Sequence, residues 1–173
     1  MANYKKEQNM ISKPMQTAIN EQINKELYSS YLYLSMAAYF ENTGLPGTAK
    51  WMYVQAGEER EHAMKLFEHL VDRGGKVLLT ALAAPETEWA GPMAVFQAVY
   101  QHEQFVTKSI HELYEVALKE KDYAAQVLLQ WFINEQVEEE KNASDVVESM
   151  KRIEAHETAV LQLDHQLGKR GSN

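Results

Sequence analysis

Four long stretches of helical period, separated by breaks of very unequal length, leave this chain few ways to fold. Glycine and proline, which interrupt regular structure, gather at Gly44, Pro46 and Gly47, at Gly74 and Gly75, at Pro85, Gly91 and Pro92, and at Gly168 and Gly171. The periodicity between these marks predicts helices over about 12–42, 47–73, 92–120 and 123–150, with a shorter one over about 155–166. The first pair and the second pair are joined by short links, so each pair is expected to be antiparallel. KVLLTALAAPETEWA, residues 76–90, has no sustained period and is long enough to run the length of a bundle. The expected fold is all-α: a four-helix bundle with one long crossover and a short C-terminal fifth helix, forming a single domain over 1–173.

A chain of 173 residues buries about 70 % of its unfolded surface and needs no disulfide or structural metal merely to fold. Its net charge of −8 argues against nucleic acid or an anionic membrane as partner and suits attraction of cations. The absence of cysteine excludes disulfide scaffolds, Cys-ligated zinc, iron–sulfur centres and Cys nucleophiles. MANYKKEQNMISKP has no apolar core of a signal peptide, and no apolar run approaches a membrane span, so the expected compartment is the cytoplasm.

The apolar faces of these helices carry an anomaly. With Met52 as the reference angle, Met52, Ala56, Ala63, Leu66 and Leu70 lie within about 40° of one another at 3.6 residues per turn. Glu59 falls in the middle of that stripe and His62 near its edge. The first helix repeats the pattern: Glu26 is centred among Ile19, Ile23, Ser30 and Ala37, and Tyr33 lies two turns further on. In the third, Glu103 interrupts Phe96, Tyr100, Thr107, Ile110 and Tyr114. In the fourth, Gln136 and, at the edge, Glu139 interrupt Leu129, Phe132, Ala143 and Val147.

An unpaired buried carboxylate costs several kcal/mol even after relaxation. A single glutamate on such a stripe is ordinarily a boundary residue, but four at matching depth, with no Lys or Arg beside them on the stripes, demand a common partner. Two divalent cations neutralise four carboxylates, and several oxygens with one imidazole suit iron or manganese rather than copper or structural zinc. Di-iron carboxylate bundles use one Glu from each of two helices and Glu-x-x-His from each of the other two. Here Glu26 and Glu103 are the single glutamates and Glu59-x-x-His62 is the first motif, whereas the second reads Gln136-x-x-Glu139.

INKELYSSYLY (23–33), GEEREHAM (57–64), HEQF (102–105) and LQWFINEQVEEEK (129–141) together resemble the bacterial non-haem ferritins, over nearly the whole chain. The resemblance implies a ferroxidase centre in which Glu26, Glu59 and His62 hold one iron. Glu59, Glu103 and Glu139 hold the second, Glu59 bridges, and Gln136 lies close. It implies that Tyr33 bonds to a ligand and can supply an electron, and that Glu58, Glu135 and Glu138, with Glu139, form a third iron site. It further implies Fe(II) and oxygen or hydrogen peroxide as reactants, storage of ferric mineral, and a shell of twenty-four subunits. Haem is not expected, because bacterioferritin carries a second Glu-x-x-His and a haem-ligating Met after the bridging Glu, where this chain has Gln136-x-x-Glu139 and Arg60. Rubrerythrin requires cysteine ligands, and the DNA-protecting mini-ferritins lack a helix after the bundle.

The remaining candidates read as structural. His69 and His102 are expected to face solvent, His111 to be a boundary or core residue, and the methionines to fill the core. Trp131 adjoins the site in sequence, and packing alone would account for it; His156 and His165 are expected within the fifth helix, which in ferritins lines the four-fold axis. Two other readings stay open at this level: a purely structural bundle with protonated glutamates, and a di-iron oxidase or peroxidase acting without mineral storage.

Overall fold

The computed structural model describes residues 11–153 and 156–170. Five helices occupy them: α1 Lys13–Asn42, α2 Pro46–Asp72, α3 Pro92–Lys119, α4 Tyr123–Ile153 and α5 Glu157–Leu167. Helices begin where the chain supplies an N-terminal signal. Ser12 caps α1 through its hydroxyl, which accepts from the Met15 amide at 3.3 Å, and a proline stands in the first turn of α1, α2 and α3. Helix α4 runs three residues past the expected end, with Lys151 and Arg152 in a last turn where cations favour the helix dipole. The expected start of the fifth helix near 155 lies outside the described residues; His156 is the N-cap residue of α5 rather than part of it, and His165 sits in its last turn.

The crossover is extended and runs beside α1 in the same direction. Two asparagines of α1 hold it. Asn20 donates to the Lys76 carbonyl at 3.0 Å and accepts from the Leu78 amide at 2.7 Å, and Asn24 accepts from Thr80 at 2.8 Å. Further along, Ser35 donates to the Glu86 carbonyl at 2.6 Å, and Trp89 packs edge-on against Tyr39 at 5.4 Å. The chain is thereby delivered to the far end of α1, where α3 starts and runs back antiparallel to it. Helices α2 and α3 consequently point the same way.

Two apolar clusters fill the bundle. One gathers Tyr33, Met36, Phe40, Trp51, Met52, Phe96 and Val147, and the other gathers Met15, Ile19, Ile23, Leu66, Leu70, Ile110, Leu129 and Phe132. The glutamates predicted from the stripes lie between them. Stripe positions Ser30, Tyr100, Thr107 and Tyr114 are only half-buried, and His111 is exposed rather than at a boundary.

Helix α5 docks on the first turn of α2. Asp164 is buried and accepts from the Gly47 amide at 3.1 Å, the Thr48 amide at 2.7 Å and the Thr48 hydroxyl at 2.8 Å. It supplies from a distant helix the cap that Leu45, the N-cap residue of α2, lacks. A side chain at Gly47 would overlap the Asp164 backbone carbonyl. Gly47→Ala therefore pushes α5 away although alanine favours the helix by about 1 kcal/mol. Amide exchange at Gly168 and Lys169, whose protons are held by Asp164 and Gln166, is expected to quicken about tenfold or more while the cores of α1–α4 keep their protection.

Candidate metal centre

Glu26, Glu59 and Glu103 are each 1 % exposed, His62, Glu139 and Gln136 at most 4 %, and Tyr33 is fully enclosed. Each of them is interior, as its place on an apolar stripe predicts. Glu26, Glu59 and His62 each offer a ligand atom within 4.8 Å of the others, and so do His62, Glu135 and Glu139. His62 belongs to both groups. Its Nδ1 lies 3.5 Å from Glu59 Oε2, and Trp131 and Phe132 meet its ring edge-on at 5.4 and 5.9 Å. Lys65 covers the Trp131 ring at 4.2 Å.

Glu103 falls in neither three-residue group; its oxygens are engaged by neighbours. Tyr33 donates its hydroxyl to Glu103 Oε1, and Gln136 donates to Oε2 at 3.2 Å. Of the three flank glutamates, Glu135 and Glu58 are half-buried and Glu138 is exposed. Glu135 approaches His62 and Glu139, whereas Glu58 is paired with Arg170 at 2.5 Å.

Sequence reasoning missed the amides that orient the carboxylates. Gln22 donates to Glu26 at 2.9 Å and is itself fixed by Ser109, which donates to its carbonyl at 2.9 Å. Gln55 donates to Glu139 at 2.7 Å and to Glu59 at 3.3 Å. Both glutamines stand one turn before a buried glutamate on the same stripe, a spacing the sequence displays. His69 and His102 were expected in solvent, and neither is there. His69 is half-buried and lies 3.2 Å from Arg73, while His102 lies 2.8 Å from Ser29 with Tyr28, Tyr33 and Phe105 around it. Burial depresses the His102 imidazole to about 4, so it is neutral at physiological pH.

The electrostatics show a site short of positive charge. Burial, then the neighbouring Glu59, raises Glu26 to about 8. Burial and the Glu103 charge push Glu59 well up, and burial raises both Glu103 and Glu139 to about 7. Burial and the Glu103 carboxylate likewise hold the Tyr33 hydroxyl protonated. Glu26 Oε2 and Glu59 Oε2 are fully buried without a hydrogen-bond partner. Two orphaned carboxylate oxygens, on residues clustered with an imidazole, fit a cation of the oxygen- and nitrogen-ligated kind.

Residues 16–153 match the family described as Ferritin, ferritin-like domain. The chain belongs to the ferritin family. It is 43 % identical over 161 residues to the bacterial non-haem ferritin of Bacteroides fragilis strain 638R, covering 93 % of this chain and 100 % of that one. It is 38 % identical over 158 residues to the bacterial non-haem ferritin of Campylobacter jejuni, covering 91 % and 95 %. An open-pore ferritin from the archaeon Archaeoglobus fulgidus superimposes with a TM-score of 0.92 at 51 % identity, covering 94 % of this chain and 99 % of that one. As a ferritin, the chain stores iron and is a ferroxidase, with iron as substrate of a di-iron carboxylate–histidine cluster. Among the described residues, no helix is long and apolar enough to cross a membrane.

The raised pKa values set a pH dependence for the iron-free protein. Glu26, Glu103 and Glu139 bind protons more tightly folded than unfolded, so their contribution to stability is fully present below about 4.5. It is lost as pH rises through about 7 to 8. Thermal melting of the iron-free protein is expected to fall by several degrees between about pH 5 and pH 8. Glu26→Gln, which keeps the shape and removes the charge, should flatten that fall, as calorimetry at both pH values would register.

Proposed function

We propose that Glu26, Glu59 and His62 hold one iron of the ferroxidase centre and Glu59, Glu103 and Glu139 the other, with Glu59 between them. The observation that carries this reading is the pair of orphaned oxygens on Glu26 and Glu59, buried beside His62. The protein's part is to hold two iron sites side by side, so that one oxidant takes an electron from each of two Fe(II) ions. Gln136 and Tyr33 keep Glu103 aimed inward, and the Tyr33 hydroxyl is placed to give up a proton and an electron to the centre. Oxygen or hydrogen peroxide is the oxidant, and the whole chain acts as one domain in the cytoplasm.

Mineral storage requires an enclosed volume that one bundle cannot provide, so the working unit is a shell, of twenty-four copies on the family pattern. Aerobic Fe(II) loading of the size-separated protein tests both parts at once. Retention of iron far beyond what the metal centres alone can bind is expected of the shell; a dimer that oxidises iron without retaining it would favour an oxidase acting without storage. Glu59→Ala should still assemble and should lose the rapid phase of Fe(II) oxidation by about 100-fold or more in stopped flow, because it removes the ligand shared by both irons.

We further propose that Glu58, Glu135 and Glu138, with Glu139, hold a third iron beside the pair. The nearness of Glu135 to His62 and Glu139 supports a metal path on that flank. The double variant Glu135→Ala and Glu138→Ala is expected to keep the first di-iron oxidation. It should change the ratio of iron oxidised to oxygen consumed by about a third or more in oximetry, since a third electron donor is removed.

A further inference from the structure

The C-terminal segment reaches the metal centre through one side chain. Arg170, two residues beyond Gly168 at the end of α5, lies over α2 and makes three separate contacts there. Its Nη2 is 2.5 Å from Glu58 Oε2, its Nη1 donates to Gln55 Oε1 at 2.7 Å, and its guanidinium lies 4.5 Å above the Trp51 ring. Gln55 passes the contact inward, since the other end of the same amide donates to Glu139 and Glu59. Arg170 also lowers the electrostatic cost of ionising Glu58 and Glu139. The docking of Asp164 on the start of α2 and the close passage of Gly168 over Gly47 hold the segment at the height where Arg170 meets these groups.

We propose that the Arg170 guanidinium is a tethered counter-cation, occupying Glu58 in the iron-free protein and displaced when Fe(II) takes that carboxylate. The inference rests on the third-site reading of Glu58 given above. Arg170 holds Glu58 Oε2 and sets a positive charge beside that carboxylate, so a divalent ion taking Glu58 competes with it for the oxygen and is repelled by its charge. Displacement also releases the Gln55 carbonyl, freeing the amide that orients Glu59 and Glu139. Arg170 is thus a positioning residue whose presence sets how readily the third site fills. The pair is partly exposed, so the competition is modest rather than prohibitive.

Anaerobic Fe(II) titration of the assembled protein by calorimetry tests this directly. Arg170→Gln is expected to tighten the weakest class of iron sites about two- to fivefold, the range a partly exposed ion pair can supply. Arg170→Lys, which restores the charge without the planar fork, should return affinity toward the wild-type value. A merely structural arginine would give unchanged or weaker binding in Arg170→Gln, and either result overturns the inference. The underlying site has its own control in Glu58→Gln. If that variant loses the weakest class while Arg170→Gln matches wild type, the third site stands and the counter-cation falls. If Glu58→Gln keeps the class intact, both fall.

Discussion

Four carboxylates confined between two apolar clusters are the constraint on which the rest of this structure depends. Desolvation and mutual repulsion raise their pKa values toward neutrality or beyond, so that the iron-free interior holds protons where the loaded interior would hold metal. A buried charge cluster of this kind destabilises the bundle that contains it. The apolar layers above and below offset the cost, which is why the centre sits at mid-length and not at an end. Pre-organisation follows: the carboxylates have little freedom to turn away, because Gln22, Gln55, Gln136 and Tyr33 donate to their oxygens.

These orienting groups act at different removes from the metal. Gln22 and Gln55 each stand one turn before a carboxylate of their own helix, Glu26 and Glu59, and Gln55 also reaches across to Glu139 on α4. Ser109 and Arg170 then fix those amides from other parts of the chain. An amide offers an acceptor at one end and donors at the other. Holding its carbonyl in a hydrogen bond leaves the NH2 group turned toward the carboxylates. The ligand layer is thus stabilised by neutral donors, which leave the carboxylates their negative charge for a cation.

The helical period carried most of this into view before any coordinates. Glu26, Glu59, Glu103 and Glu139 stood out because each broke an apolar stripe, and periodicity on a long helix is a strong signal. His102 was misjudged because a wheel drawn for one helix cannot register the α1 side chains Tyr28 and Tyr33 that close over its flank. Arg170 was out of reach for a related reason: it meets Glu58 across 112 residues of sequence, through the docking of α5, and no local pattern encodes that contact. The length of α4 was underestimated because its last turn, KRI, has too few apolar residues to extend the stripe while its cations suit a helix end.

The polar belt also divides the interior mechanically. Phe40 and Leu70 belong to separate apolar clusters on either side of the glutamates. Side chains that share no neighbour relax independently, and the energetic effects of altering them sum rather than interact. The bundle therefore behaves as two small cores joined by an ionisable seam. One end can be repacked to change its rigidity or its outer contacts without the adjustment being transmitted through the ligands to the other.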